Sequence, residues 1–185
     1  MELKDAINGR RAVRDYTSAA VGEREIRDLI DSAIRAPSAI NQQPWRFTVI
    51  RDTKMLSRIS VEAKAHTLRK PLAELASPHF QSLLDNPGFN IFYNASVLIV
   101  ISAAAGPWAI EDCALAAENL MLSAHAAGLG TCWIGFAQAW LGTPEGKALL
   151  KLPETEIPVA PIIVGHPKSA SAAVPRHAAQ IRWLP

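Results

Sequence analysis

The chain has 185 residues, 49% of them hydrophobic and 19% charged, enough for one domain with a substantial core and a balance that argues against disorder. Its net charge of +2 excludes a general polyanion-binding surface, and no stretch interleaves basic residues with aromatics in the way a nucleic-acid contact needs. Cys113 and Cys132 sit in apolar sequence with no Cys-x-x-Cys pairing and read as reduced thiols of a reducing compartment. The opening Met1–Arg11 mixes charges rather than forming a secretory signal, and the apolar run at 96–105 falls far short of the roughly 20 residues that span a bilayer. The expectation is a soluble, cytoplasmic protein without a membrane segment.

In chain order, residues 2–8 read as a short helix, followed by the basic stretch Gly9-Arg10-Arg11-Ala12-Val13-Arg14. An amphipathic helix is predicted from Glu23 to Arg35, where Ile26, Leu29, Ile30, Ala33 and Ile34 recur at helical spacing and Pro37 provides a stop. A polar turn, Ser38 to Pro44, leads into a strand at 45–50, and residues 52–65 read as a helix. Prolines and Gly88 interrupt any pattern over 66–92. Ser96–Ser102 is a continuous apolar strand that should be buried on both faces. The longest helix is expected over 109–127 with Gly128 as its terminator. Ala114, Leu115, Ala117, Leu120, Met121 and Ala124 surround so much of that helix that it needs more than one packing partner, a sheet or another subunit. Glu111, Asp112 and Glu118 read as its solvated or helix-start face. Further strands are expected at 131–135 and 159–164, and the residues from about 167 read as an arm. Residues 1–185 thus form one mixed α+β domain. Five tryptophans are many for a chain this size, and some are expected at a ligand site or subunit contact.

Three segments could carry chemistry. In an extended segment Arg10, Ala12 and Arg14 point one way and Arg11 the other, and two guanidinium groups on one side suit a phosphate through paired charge-assisted hydrogen bonds. The alternative is a solvated loop with surface salt bridges. The second segment, Ala36-Pro37-Ser38-Ala39-Ile40-Asn41-Gln42-Gln43-Pro44-Trp45-Arg46-Phe47, packs a hydroxyl and three carboxamides between a helix and a strand. Such groups match the donor and acceptor edge of a flat heterocycle, or cap a turn with no ligand. The third, Gly128-Leu129-Gly130-Thr131-Cys132-Trp133-Ile134-Gly135, runs from helix to strand, the reverse of a dinucleotide-binding turn. Gly135 there would let a ligand approach the backbone. His66, His79, His125, His166 and His177 have no metal-ligand spacing, so no metal is expected. No Gly-x-Ser-x-Gly elbow or phosphate-binding P-loop occurs.

Taken together, the segments resemble the nitroreductase family of FMN enzymes in content and order. Arg10-Arg11-Ala12-Val13-Arg14-Asp15-Tyr16 is similar to the family's opening Arg-Arg-Ser-x-Arg plus aromatic. Residues 36–47 match its Ala-Pro-Ser-x-x-Asn-x-Gln-Pro-Trp-x-Phe at every defined position. Residues 116–131 look like its central dimer helix and turn, and 161–167 like its last core strand and exit. The resemblance covers roughly 2–50 and 94–177. It implies a nitroreductase-like fold, with a central mainly antiparallel sheet flanked by helices, in an intertwined homodimer that binds FMN noncovalently. It further implies that Arg10 and the Arg11 backbone hold the ribityl phosphate, with Arg176 as a second basic residue, and that Arg14 reaches the pyrimidine end of the flavin. Pro37, Ser38, Asn41 and Gln43 would meet the flavin from the partner subunit, and amides near Ile134 and Gly135 would face its central ring. The activity implied is passage of electrons from NADH or NADPH to a nitroaromatic, quinone or flavin acceptor by a ping-pong mechanism, without a dedicated catalytic side chain for hydride transfer. Specialised flavin chemistry on the same fold, or a flavin store or redox sensor without turnover, are the alternatives. One departure stands out: Ala12 replaces the usual serine, removing a hydrogen bond worth ~0.5–1.5 kcal/mol.

Overall fold

A computed structural model describes residues 1–69 and 78–184. Helix α1 spans Leu3–Gly9 and α2 spans Glu23–Ala33. Strand β1 is Arg46–Ile50, and α3 runs from Thr53 to Leu68, capped by the Asp52 carboxylate, which accepts from the Met55 amide at 2.6 Å. Helix α4 is Pro78–Asp85, β2 is Val97–Ala104 and α5 is Ala109–Ala126. The remaining elements are β3 (Gly130–Trp133), α6 (Gly135–Leu141), α7 (Pro144–Leu150) and β4 (Glu156–Gly165).

The strands form one antiparallel sheet in the order β1-β2-β4-β3. Period-two alternation divides β2 between two cores. Val97, Ile99, Ile101 and Ala103 face the layer of α2 and α5, whereas Leu98 and Val100 face that of α3 and α6. Every β2 residue except Ala104 is buried, as the unbroken apolar run requires. Between Ile101 and Ser102 the β2–β4 register shifts, so Val159 becomes the extra residue of a bulge between Pro158 and Ala160. This proline-bearing start hid three residues of β4 from the sequence pattern.

Helix α5 finds its several partners within the chain. Ala116, Ala117, Leu120 and Ala124 are fully buried against the sheet and α2, and α1 packs on it as well. Ile110 and Leu115 remain exposed. Gly128, at φ +77°, adopts the left-handed conformation that ends the helix and turns the chain into β3. Three expectations need correction. Asp112 sits in the first turn of α5, as the helix-start reading has it, but is buried at 3% exposure rather than solvated. Gly135 begins a helix rather than ending a strand. Helices α6 and α7 went unpredicted, because Gly135, Gly142 and Gly146 interrupt the apolar pattern there. The unreadable 66–92 includes the end of α3 and all of α4; its residues 70–77 lie outside the described ones.

Beyond Gly165 an isolated bridge pairs Pro167 with Tyr16, and residues 171–184 are exposed and without regular structure. No helix among the described residues is long and apolar enough to cross a membrane.

Both cysteines are buried and unpaired. Burial pushes the Cys113 thiol up to about 12, helped by the adjacent Asp112 carboxylate. Burial also raises Cys132, against the opposing pull of Arg14 and Arg10. Alkylation proceeds through the thiolate. At pH 8 the folded protein is therefore expected to resist iodoacetamide at both positions and the unfolded chain to label at both. Rapid native labelling at Cys113 would show that the core opens there.

Candidate functional site

The arginine-rich segment is laid against the edge of the sheet by backbone bonds. Ala12 forms a parallel bridge with Thr131 of β3, and the Val13 amide donates to the Thr131 carbonyl at 2.9 Å. Further on, the Thr17 amide donates to His166 O at 2.8 Å and the Lys168 amide to Asp15 O at 3.1 Å, backed by a 2.8 Å Lys168–Asp15 ion pair. Buried Tyr16 donates its hydroxyl to Val13 O at 2.7 Å. Held at both ends, the segment presents its arginines to different places.

Arg14 lines a cleft of about 250 Å³ with Tyr93, Cys132, Trp133, Ile134 and Gly135. Ile91 and Phe136 complete its wall. Arg11 lines another cavity, of about 330 Å³, beside His125, Gly128 and Ser169. Its Nη1 donates to Asn8 O at 2.6 Å and Arg10 O at 2.8 Å. Arg10, whose amide caps α1 on Ala6 O, lies toward α5, its Nε 3.4 Å from Glu118 Oε1. The Nε atoms of Arg10 and Arg11 are buried and, among the described residues, have no hydrogen-bond partner. For Arg10 this means that Glu118 supplies charge attraction without a directed bond. Buried guanidinium donors left unsatisfied are costly, and an anion at this segment would relieve that cost.

The turn from β3 into α6 lines the same cleft. The Ile134 amide is already used, donating to Pro161 O at 2.8 Å, so it is not free to face a ligand. The Gly135 amide, by contrast, finds no acceptor among the described residues. Among the described residues, and apart from its own chain neighbours and helix backbone, nothing lies within 4 Å of the position a Cβ would occupy at Gly135. Backbone and open space meet there, beside a cation.

Gly130 explains how the third motif serves the first. An added Cβ would lie 2.8 Å from Val13 Cβ and Cγ1, so only glycine lets the arginine segment sit this close to β3. Gly130→Ala is expected to cost about 1–2 kcal/mol, in the lower part of the range for overpacking because half-buried Val13 can give. It should also displace Arg14 and weaken binding of an anionic ligand. Unaltered ligand affinity together with unaltered melting would refute this coupling.

The second motif lies outside the cleft. Ile40, Asn41 and Gln43 adopt left-handed backbone conformations, with φ of 45°, 57° and 49°, an arrangement that needs support elsewhere. Ser38 Oγ accepts from the Gln43 amide at 2.9 Å, and Asn41 Oδ1 from Gln43 Nε2 at 3.0 Å. Asp112 anchors the turn by accepting from the Ala39 amide at 2.9 Å. Pro37, Asn41 and Gln43 are exposed, Ser38 is half-buried, and Ile40 is 89% exposed. Arg176 is exposed in the arm and lines neither cavity.

Sequence reasoning missed Ile91, which comes from the stretch without a readable pattern, Tyr93, which lies between that stretch and the expected strand at 96, and Asp112, whose buried role has no local signature. Phe136 was missed too, since it falls just past the third motif, whereas Trp133 lies within it.

Fold and site define an antiparallel α+β protein with a cationic cleft built where the N-terminal segment meets the sheet edge. The family model described as the nitroreductase family matches residues 7–166. A Methanothermobacter thermautotrophicus protein, provisionally named NADH dehydrogenase/NAD(P)H nitroreductase, is 32% identical over 167 residues, covering 90% of this chain and 78% of that protein. The Bacillus subtilis FMN reductase [NAD(P)H] is 27% identical over 183 residues, covering 95% and 70%. In fold, the chain is similar to a nitroreductase with bound FMN from Bacteroides fragilis, with a TM-score of 0.80, 24% identity and coverage of 97% and 95%. The chain belongs to the nitroreductase family.

Proposed function

We propose that this protein is an NAD(P)H-dependent flavin oxidoreductase that holds FMN noncovalently between Arg14 and the Gly135 turn. The observation that carries the reading is the convergence of Arg14 and the unpartnered Gly135 amide on one cleft, with the unsatisfied guanidinium donors of Arg10 and Arg11 in the same short segment. The names of the relatives, NAD(P)H nitroreductase and FMN reductase, support the same reading. Arg10, the Arg11 backbone and Arg176 would hold the phosphate, and Arg14 the pyrimidine end. The Ile134 amide keeps its bond to Pro161, which leaves Gly135 to offer a donor at the central ring. FMN held there would supply the two-electron chemistry needed for oxidation of NADH or NADPH and reduction of a nitroaromatic, quinone or flavin acceptor. The protein's part is to orient the donor and stabilise negative charge at Arg14. Donor and acceptor use the same face in turn, which implies ping-pong kinetics.

The working unit in this reading is a homodimer of one-domain chains. Pro37, Ser38, Asn41 and Gln43 stand outside their own chain's cleft on a turn that Asp112 holds rigid, as residues lent to a partner's flavin would. Leu3, Ile7, Ile40, Leu115, Val174 and Trp183 leave large apolar groups exposed, a surface that subunit association would cover. Buried, unpaired cysteines fit the cytoplasm.

The purified protein is expected to be yellow, with one FMN per chain, and to lose the flavin's visible absorbance on anaerobic addition of NADH or NADPH. Failure to take up FMN would refute the proposal. Bound flavin that stays oxidised with both donors would make the protein a flavin store.

A further inference from the structure

The mechanism leaves a buried lysine unused. Lys64 on α3 is 9% exposed and, among the described residues, has no carboxylate partner. Its ammonium donates to Asn86 O at 2.7 Å and Phe89 O at 2.9 Å, and lies 5.9 Å from the centroid of the Phe89 ring. One turn earlier, Ser60 Oγ accepts from the Ile91 amide at 3.1 Å. Helix α3 thus grips residues 86–91 by their backbone. Phe89 then meets Tyr93 edge to face, with ring centroids 5.5 Å apart at 77°. Tyr93 and its neighbour Asn94 adopt left-handed conformations, φ 51° and 58°, which a bulky side chain adopts only when its surroundings over-determine it. What this arrangement achieves is to place the half-buried Tyr93 ring in the cleft beside Arg14.

Arg14 forms no salt bridge among the described residues. Its close neighbours in the cleft are a phenol and a thiol, and the guanidinium acts on both, opposing the rise that burial imposes on Tyr93 and Cys132. A carboxylate in that place would orient Arg14 and cancel its charge. A neutral phenol oxygen can accept from a guanidinium N–H and leave the positive charge available to a ligand.

We infer that Tyr93 is a positioning residue: gripped through Phe89 by Lys64, it fixes the Arg14 guanidinium toward the flavin so that the cation favours the reduced cofactor. The inference rests on the proposed placement of Arg14 against FMN.

The test measures, by anaerobic titration, the ratio of dissociation constants for oxidised and reduced FMN in four proteins: wild type, Arg14→Gln, Tyr93→Phe and the double variant. Arg14→Gln should lower the preference for reduced FMN about tenfold or more. Tyr93→Phe should lower it about two- to twelvefold, the worth of one hydrogen bond. The double variant should be no worse than Arg14→Gln, because Tyr93 acts only through Arg14. An unchanged ratio in Tyr93→Phe, with Arg14→Gln lowered, overturns the inference and leaves the function standing. Additive effects in the double variant also overturn it, since Tyr93 would then act independently. Four equal ratios would overturn both the inference and the placement of Arg14.

Discussion

An Arg10→Ala protein is expected to retain FMN about 10- to 100-fold more weakly than the wild type, the loss of one charge-assisted contact. The Arg10 side chain is 21% exposed, and its nearest anion, Glu118, is 49% exposed and set at ion-pair distance without a hydrogen bond. Such a partner holds the guanidinium loosely and competes poorly with a phosphate. The backbone should not move, because Arg10 contributes its amide, not its side chain, to the end of α1. A fluorescence-quenching titration reads the affinity, and the melting temperature of the flavin-free protein checks that α1 survives. Glu118→Gln serves as the counter-test, since removing the competing anion should leave retention equal or higher. If Arg10→Ala binds FMN as wild type does, the phosphate lies elsewhere.

Arg46→Met is expected to destabilise the fold by about 2–3 kcal/mol, less than a fully buried pair because water reaches one partner. Glu156 at the start of β4 is 2% exposed and ion-paired with Arg46 of β1, whose side chain is 63% exposed. Its other oxygen accepts from Ser102 Oγ of β2 at 3.0 Å. One carboxylate therefore ties three strands beside the bulge, and removing the arginine leaves a buried anion with a single hydroxyl. Melting should fall by roughly 4–12 °C for a chain of this size. Arg46→Met combined with Glu156→Gln should recover most of the loss, because no buried charge then remains. A double variant as unstable as the single would show that the charge pair is not responsible.

Where a residue's fate depends on its chain neighbours, the sequence was sufficient. Helical spacing of Ile26, Leu29 and Ala33 decides which face of α2 is buried, and the uninterrupted run 96–102 decides that β2 has cover on both sides. Gly128 had to follow α5 because the left-handed turn there excludes most side chains. The arginine segment and the turn at 36–47 were legible in the same way, since each concentrates unusual polar chemistry in a few consecutive residues.

Everything that requires two distant segments to meet was decided by the tertiary structure alone. Local periodicity carries no information on strand order, so nothing in β4 announces that it lies between β2 and β3. Asp112 looks like any acid in the first turn of a helix until the loop at Ala39 arrives to donate to it. The Ile134 amide looks available until Pro161, 27 residues later, takes it. Tyr93 follows a stretch whose only pattern is interruption and belongs to no element the sequence announces, and it enters the cleft because Ser60 and Lys64 grip the loop before it. Proximity in the chain costs no closure entropy and leaves its mark on local sequence, whereas contacts across the fold arise from packing that no single segment encodes.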